Sequence, residues 1–489
     1  MNAMVAVEGG RLEGVCEREI RRFLGVPYAA PPVGALRWRP PTPVEPWSGT
    51  RAARTFGPAA LQAPRATLPL GTEAKSEDCL YLNIWTPLLD EAAGLPVMVW
   101  FHGGGYVSGA ASEPVYDGAA LAAQGMVVVT VNYRLHVFGY LAHPSIGANF
   151  GLQDQFAALA WVKRHARLFG GDPENITAAG ESAGAGSVHA LLSAPAGDAL
   201  FHKAIMQSGG FNEFAGQHRR RTLADAHGVS QRLFAALGSD DPERLRAIPA
   251  ETVWQCADDL TRFDLSTGQI VLPHHLPWAP VEDDEILPAG RAPHPRGSRP
   301  LLFGWNANEG RYFFRPGRQF TCEKLDYVAT ELCGLSPETV AGLFDTDAAE
   351  AVLDALDRLF STVMGAETAV ETATRMHSRG TAAYVYRFGR VSPGALRSGL
   401  LANHTADLPY MFGTLDRMDG GYEEADADLS ASMLKAWASF ARSGAPELDD
   451  GPWPRFDPAD PRIALLDHGA VAAPFKPDAL FLAVRAARG

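Results

Sequence analysis

Two short runs limit what this chain can fold into. P-V-M-V-W-F (96–101) leads into H-G-G-G, and M-V-V-V-T-V-N-Y (126–133) leads into R-L. Both are continuously apolar and rich in β-branched residues, so they read as strands covered on both faces. N-I-T-A-A-G (175–180), F-H-K-A-I-M (201–206) and P-L-L-F-G (300–304) read as further strands. Helical patterns lie between them. Residues 156–166 carry apolar side chains at helical spacing with basic residues near the end, which suits the helix dipole. S-A-G-A-G-S-V-H-A-L-L (182–192) follows a strand directly. Strand alternating with helix predicts an α/β fold with a large, mostly parallel central sheet and helices on both faces. The first 60 residues are turn-rich, because proline fixes φ and removes donors. Residues 283–299 read as a Pro/Gly/charged loop, and 315–380 as helical. The strand after that loop belongs to the same sheet, so residues 1–489 are expected to form a single domain.

Charge and composition exclude several function classes. The net charge is −13, which repels phosphate backbones and anionic membranes, so neither nucleic acid nor membrane is an expected partner. The longest apolar runs fall far short of the roughly 20 residues of a membrane span. The start, M-N-A-M-V-A-V-E-G-G, has no basic region followed by an apolar one, and a cytoplasmic location is expected. Cys16, Cys79, Cys256, Cys322 and Cys333 are scattered and form no C-x-x-C. That pattern argues against a disulfide framework and against a zinc site. No metal or organic cofactor is implied, and a monomer is the default expectation.

T-A-A-G-E-S-A-G-A-G (177–186) frames Ser182 between small residues. G-E-S-A-G fits G-x-S-x-G, where a serine sits on a tight strand-to-helix turn. The pattern alone is weak, and a glycine-rich packing turn is the plain alternative. A strand before it and a helix after it favour the catalytic reading. A serine hydroxyl needs a base to take its proton and donors aimed at the developing oxyanion. F-H-G-G-G-Y (101–106) supplies backbone N–H groups free of side chains, so Gly104 and Gly105, with Ala183, are the expected oxyanion donors. His102 belongs to that loop and reads as a residue that orders it.

The chain resembles type-B carboxylesterases, the carboxylesterase/cholinesterase branch of the α/β-hydrolases. The likeness rests on 23–38, 76–87, 96–106, 129–135 and 169–184, and continues through F-H-K-A-I-M-Q-S-G (201–209). Bacterial para-nitrobenzyl-esterase-like members are the nearest in look. The resemblance implies an α/β-hydrolase fold with helical insertions over an active-site gorge. It implies that L-F-G-W-N-A-N-E-G (302–310) carries the acid, Glu309, and H-T-A-D-L-P-Y-M-F-G (404–413) the base, His404. Among 14 histidines, the residues alone leave that choice open. The implied activity is hydrolysis of small to medium acyl esters through a Ser182–His404–Glu309 acyl-enzyme. Y-F-F (312–314) and L-P-Y-M-F (408–412) are candidate pocket walls, with core packing the alternative for each.

Several positions depart from the family. Ala60 stands where secreted relatives place a cysteine partner for Cys79, which implies a free, buried Cys79. The stretch L-P-L-G-T-E-A-K (68–75) lacks the tryptophan with which cholinesterases hold choline. Arg37 and Glu77 match a family ion pair and are expected to be structural. His136 stands where glycine is usual, and Ala178 and Ala179 where bulkier residues are usual. Two other readings compete. One is a non-catalytic cholinesterase-like binding domain. The other is a specialised hydrolase of amides, carbamates, or toxin or xenobiotic esters, which a triad cannot distinguish because specificity lies in loops.

Overall fold

The computed structural model describes residues 2–64, 70–211, 221–261, 276–288, 299–346 and 348–488. Residues 289–298, most of the expected loop at 283–299, lie outside them, as do 68 and 69 of the stretch compared with cholinesterases.

A sheet of 13 strands organises the described residues. In chain order they are β1 (Asn2–Val7), β2 (Gly10–Glu17), β3 (Ile20–Pro27), β4 (Thr50–Ala52), β5 (Tyr81–Thr86), β6 (Leu95–Phe101) and β7 (Val127–Val131). Then come β8 (Gly171–Glu181), β9 (Lys203–Gln207), β10 (Leu301–Asn306), β11 (Ala383–Phe388), β12 (Arg462–Leu466) and β13 (Ala470–Pro474). Across the sheet they run β1-β2-β3-β5-β7-β6-β8-β9-β10-β11-β12-β13, with β4 beside β2. The pairs from β7 to β12 are parallel, and antiparallel strands close both ends. The expected strands at 96–101, 126–133, 175–180, 201–206 and 300–304 all lie in the parallel core.

The central strands are largely apolar because each feeds two cores. Val97, Val99 and Phe101 of β6 join a core on one face with Val129, Ala178, Met206 and Phe303. Met98 and Trp100 join a second core with Val128, Ala179, Ile205 and Leu302. Successive side chains point to opposite faces, so a strand with cover on both sides has no polar position. Helices α1 (Phe150–His165) and α2 (Ala183–Ser193) cover the first face, and the longer α3 (Glu424–Ser443) the second. A third cluster joins the helices between Cys322 and Ser361 to the last helix, Ala479–Arg488.

Three local differences have physical causes. The three N-terminal strands fall in the stretch read as turn-rich. β1 alternates buried and exposed residues, and β2 and β3 carry charges, so none has the continuous apolar signature of the central strands. Helix α1 begins at Phe150, ahead of the expected 156, behind Asn149 in the left-handed region (φ 58°) with no side-chain cap. Gly151 reads as a breaker there, yet a Cβ on it would lie 2.5 Å from the Arg134 carbonyl oxygen. The small Ala179 is answered by a large neighbour: Trp100 sits opposite it on β6, its ring 4.9 Å from Phe412.

Candidate active site

The parallel strands β6, β8, β9, β10 and β11 lie side by side, and the chemistry-bearing side chains follow their C-terminal ends, where open α/β sheets place their sites. Ser182 sits between β8 and α2 with φ 53° and ψ −121°. A non-glycine residue in that region is strained. Its N–H donates to the Gln207 carbonyl (2.9 Å), and its own carbonyl accepts from Gly186 N (2.9 Å).

The small residues around Ser182 are explained by what a Cβ would strike. On Gly184 it would lie 2.0 Å from the Phe101 carbonyl oxygen, and on Gly180 2.5 Å from the Gly184 backbone. On Gly209 it would lie 2.8 Å from the Ser182 carbonyl oxygen. The turn is therefore clamped between the ends of β6 and β9, backbone against backbone.

The loop after β6 lies against this turn. A Cβ on Gly103 would lie 3.2 Å from Ser182 Cβ. Gly104 and Gly105 have φ of 110° and 62°, conformations that favour glycine. The Gly104 carbonyl accepts from Val107 N, Ser108 N and Ser108 Oγ. The N–H groups of Gly104, Gly105 and Ala183 have no partner among the described residues. His102 is buried, bonds the Gly103 carbonyl through Nδ1 (2.8 Å) and stacks on Tyr133 (4.6 Å). It orders the loop, as expected.

Glu309 stands just beyond β10. Its Oε2 lies 2.6 Å from His404 Nδ1. Its Oε1 accepts from Ser208 Oγ (2.7 Å) and Asn306 N (2.7 Å). His404 follows β11 in a loop pinned by buried Asp407, which accepts from Gln207 Nε2, Tyr386 Oη and Asn306 Nδ2. The structure thus brings Ser182, Glu309, His404 and the glycine loop to one edge of the sheet.

His404 Nε2 does not bond Ser182 here. It lies 3.0 Å from Glu181 Oε1, within ion-pair distance, and neither atom has a hydrogen-bond partner among the described residues. His404 therefore stands between two carboxylates. Burial lowers its pKa, but Glu181 and Glu309 outweigh burial and push it up to about 9. Burial raises Glu181 to about 8, opposed by His404 and assisted by Asp407, Glu309 and Glu113.

Sequence reasoning missed Glu181, Ser208 and Asp407. Each lies within a quoted motif, but strand pairing alone gives it a neighbour at the site. Of the candidate walls, Tyr312 and Phe313 border His404, with ring centroids 5.5 and 5.2 Å away. Phe314 packs into the helical cluster. Leu408–Phe412 is buried and packs into the second core, the alternative given for it.

The expected ion pair is present: Arg37 holds Glu77 through two contacts of 2.6 and 2.7 Å. It also bonds the Ile248 carbonyl (2.6 Å), which ties the N-terminal segment to a later helical region. Cys79 is a free, buried thiol. His136 has φ 55°, which accounts for glycine being usual there. Its ring is buried beside Trp254 and Trp278, Nδ1 has no partner, and burial lowers its pKa to about 3. Among the described residues no group of acidic, histidine and cysteine side chains could hold a metal ion, and no helix is long and apolar enough to cross a membrane.

The fold and its relatives define a serine hydrolase of carboxylic esters on an α/β-hydrolase framework. The carboxylesterase family model matches residues 1–477, and the chain belongs to that family. It is 37% identical over 474 residues to the fumonisin B1 esterase of Sphingopyxis macrogoltabida, covering 92% of this chain and 84% of that protein. It is 35% identical over 486 residues to the para-nitrobenzyl esterase of Bacillus subtilis (strain 168), covering 95% and 94%. Among solved structures, a Geobacillus stearothermophilus carboxylesterase superposes with a TM-score of 0.82 at 32% identity, covering 99% of each chain.

Proposed function

We propose that Ser182, His404 and Glu309 form the catalytic triad, and that Gly104, Gly105 and Ala183 hold the oxyanion. His404 Nε2 takes the Ser182 proton as the serine attacks the ester carbonyl. Glu309 fixes the ring through Nδ1 and stabilises the imidazolium. Three unpaired N–H groups receive the oxyanion, the alcohol leaves, and water then releases the acid. The observation that carries this reading is a strained serine and a 2.6 Å carboxylate–imidazole pair beyond the C-terminal ends of neighbouring parallel strands. Nε2 has no hydrogen-bond partner among the described residues, so in this reading it exchanges its contact with Glu181 for one with Ser182 when it takes the proton.

Small to medium acyl esters are the proposed substrates. The rings of Tyr312 and Phe313 beside His404 support an apolar wall. A specialised ester is the second reading, because one relative is a fumonisin B1 esterase. The whole chain acts as one catalytic domain, a cytoplasmic monomer. Five free cysteines support a reducing compartment.

The test is hydrolysis of p-nitrophenyl acetate, butyrate and octanoate by wild type and Ser182→Ala, with organophosphate titration. Wild-type activity lost by several orders of magnitude in the variant, with one serine labelled per chain, is the expected result. Folded wild-type protein that neither hydrolyses an ester nor takes the label would overturn the triad and favour the binding-domain reading.

A further inference from the structure

Resting on the reading of His404 as the base, we infer that Arg315 selects esters that carry a second, anionic group, a carboxylate foremost. Tyr312 is half-buried and Phe313 is 42% exposed, so the rings beside His404 also meet solvent. Arg315 is half-buried and lies over the Tyr312 ring, its guanidinium carbon 5.4 Å from the ring centroid. Its Nε reaches the Tyr312 carbonyl only at 3.4 Å. No carboxylate among the described residues lies within ion-pair distance of it. Arg311, one turn earlier, differs: it is engaged by Asp354 and Asp357. One arginine is thus tied into the helical block, while the other presents unused donors one aromatic ring away from the base.

The electrostatic setting makes that cation matter. The chain carries a net charge of −13; Glu181 and Glu309 flank His404 on its two ring nitrogens, and Asp407 adds a third negative charge to its surroundings. An anionic substrate meets repulsion from all three. A guanidinium at the rim opposes that repulsion where the substrate enters, and its planar fork matches a carboxylate in bidentate geometry. Stacking on Tyr312 holds the plane in place, so little side-chain freedom is lost on binding.

The test compares esters matched in size and differing in one charge. On the acyl side these are p-nitrophenyl octanoate and mono-p-nitrophenyl suberate. On the alcohol side they are phenyl butyrate and 4-carboxyphenyl butyrate. The readout is the ratio of kcat/KM, charged over neutral, for wild type, Arg315→Gln and Arg315→Lys. For at least one pair the ratio should fall about tenfold in Arg315→Gln, through KM, and recover in part in Arg315→Lys. Raising salt to about 0.5 M should lower the ratio in wild type but not in Arg315→Gln. Ratios equal in wild type and Arg315→Gln on both pairs, with the neutral esters still cleaved, would overturn the inference. Wild-type protein that cleaves none of the four would instead overturn the triad, and this inference with it.

Discussion

Glu181 offers the sharpest test of the site's electrostatics. Its carboxylate lies 3.0 Å from His404 Nε2, the nitrogen proposed to accept the serine proton. At that separation and an effective dielectric near 20, full opposite charges attract by about 5 kcal/mol. Part of that attraction is offset by the burial of both groups, and the pair titrates as a unit. The net effect of one nearby opposite charge on a pKa is typically about 1–3 units. His404 is held above its ordinary value, so its base form appears only as pH rises through the raised pKa. Glu181→Gln removes one of the three charges that raise it, those of Glu181, Glu309 and Asp407. The acid limb of kcat/KM should therefore move to lower pH by about 1–3 units. The plateau should also fall, because Glu181 no longer stabilises the imidazolium that forms as the serine attacks. The assay is the pH profile of p-nitrophenyl butyrate hydrolysis for wild type and variant, corrected for active sites by titration. An acid limb that stays in place, or moves to higher pH, would refute the reasoning.

Three further outcomes follow from the packing. Gly184→Ala should destabilise the protein by about 1–3 kcal/mol in urea melts and abolish most activity, because its Cβ would meet the Phe101 carbonyl at 2.0 Å. Ser208→Ala removes one of the two hydrogen bonds to Glu309 Oε1; kcat should fall about tenfold with KM little changed, matching a lost bond to a charged group of about 1.5 kcal/mol. His136→Gly and His136→Ala leave similar cavities, yet the glycine variant should be about 1 kcal/mol the more stable in denaturant melts, since only alanine is strained at φ 55°.

The parallel core was legible because β6 is apolar at every position and β7 at all but Thr130, and only cover on both faces accounts for that. The turn at Ser182 was legible because close backbone approach leaves no room for side chains, so it is written in glycines and alanines. β2 and β3 were not legible, since a partly exposed strand carries charges on one face and resembles a loop, and β1 is a short run without the continuous apolar signature. Glu309 and His404 could be singled out only by resemblance. They come together through pairing of β10 with β11, and nothing near either residue in the chain requires it. Glu181 shows the same limit within a motif: it adjoins Ser182 in sequence, but its partner is 223 positions away, across the sheet. His136 stood out as unusual, and the positive φ that makes it so is a property of the folded backbone.

Because the reacting groups hang from five neighbouring parallel strands, catalytic competence is a late product of folding. The loop after β6 and the turn after β8 are synthesised long before the strand that precedes His404. A nascent chain can thus hold a strained serine and an open oxyanion loop without a base to activate the serine. Parallel pairing between distant segments is slow to nucleate, and chains of this size commonly pass through partly folded states. Recovery of ester hydrolysis after dilution from denaturant should therefore lag behind recovery of secondary structure. Turnover then reports whether the far side of the sheet has joined, and an enzyme built this way stays silent until its chain is nearly complete.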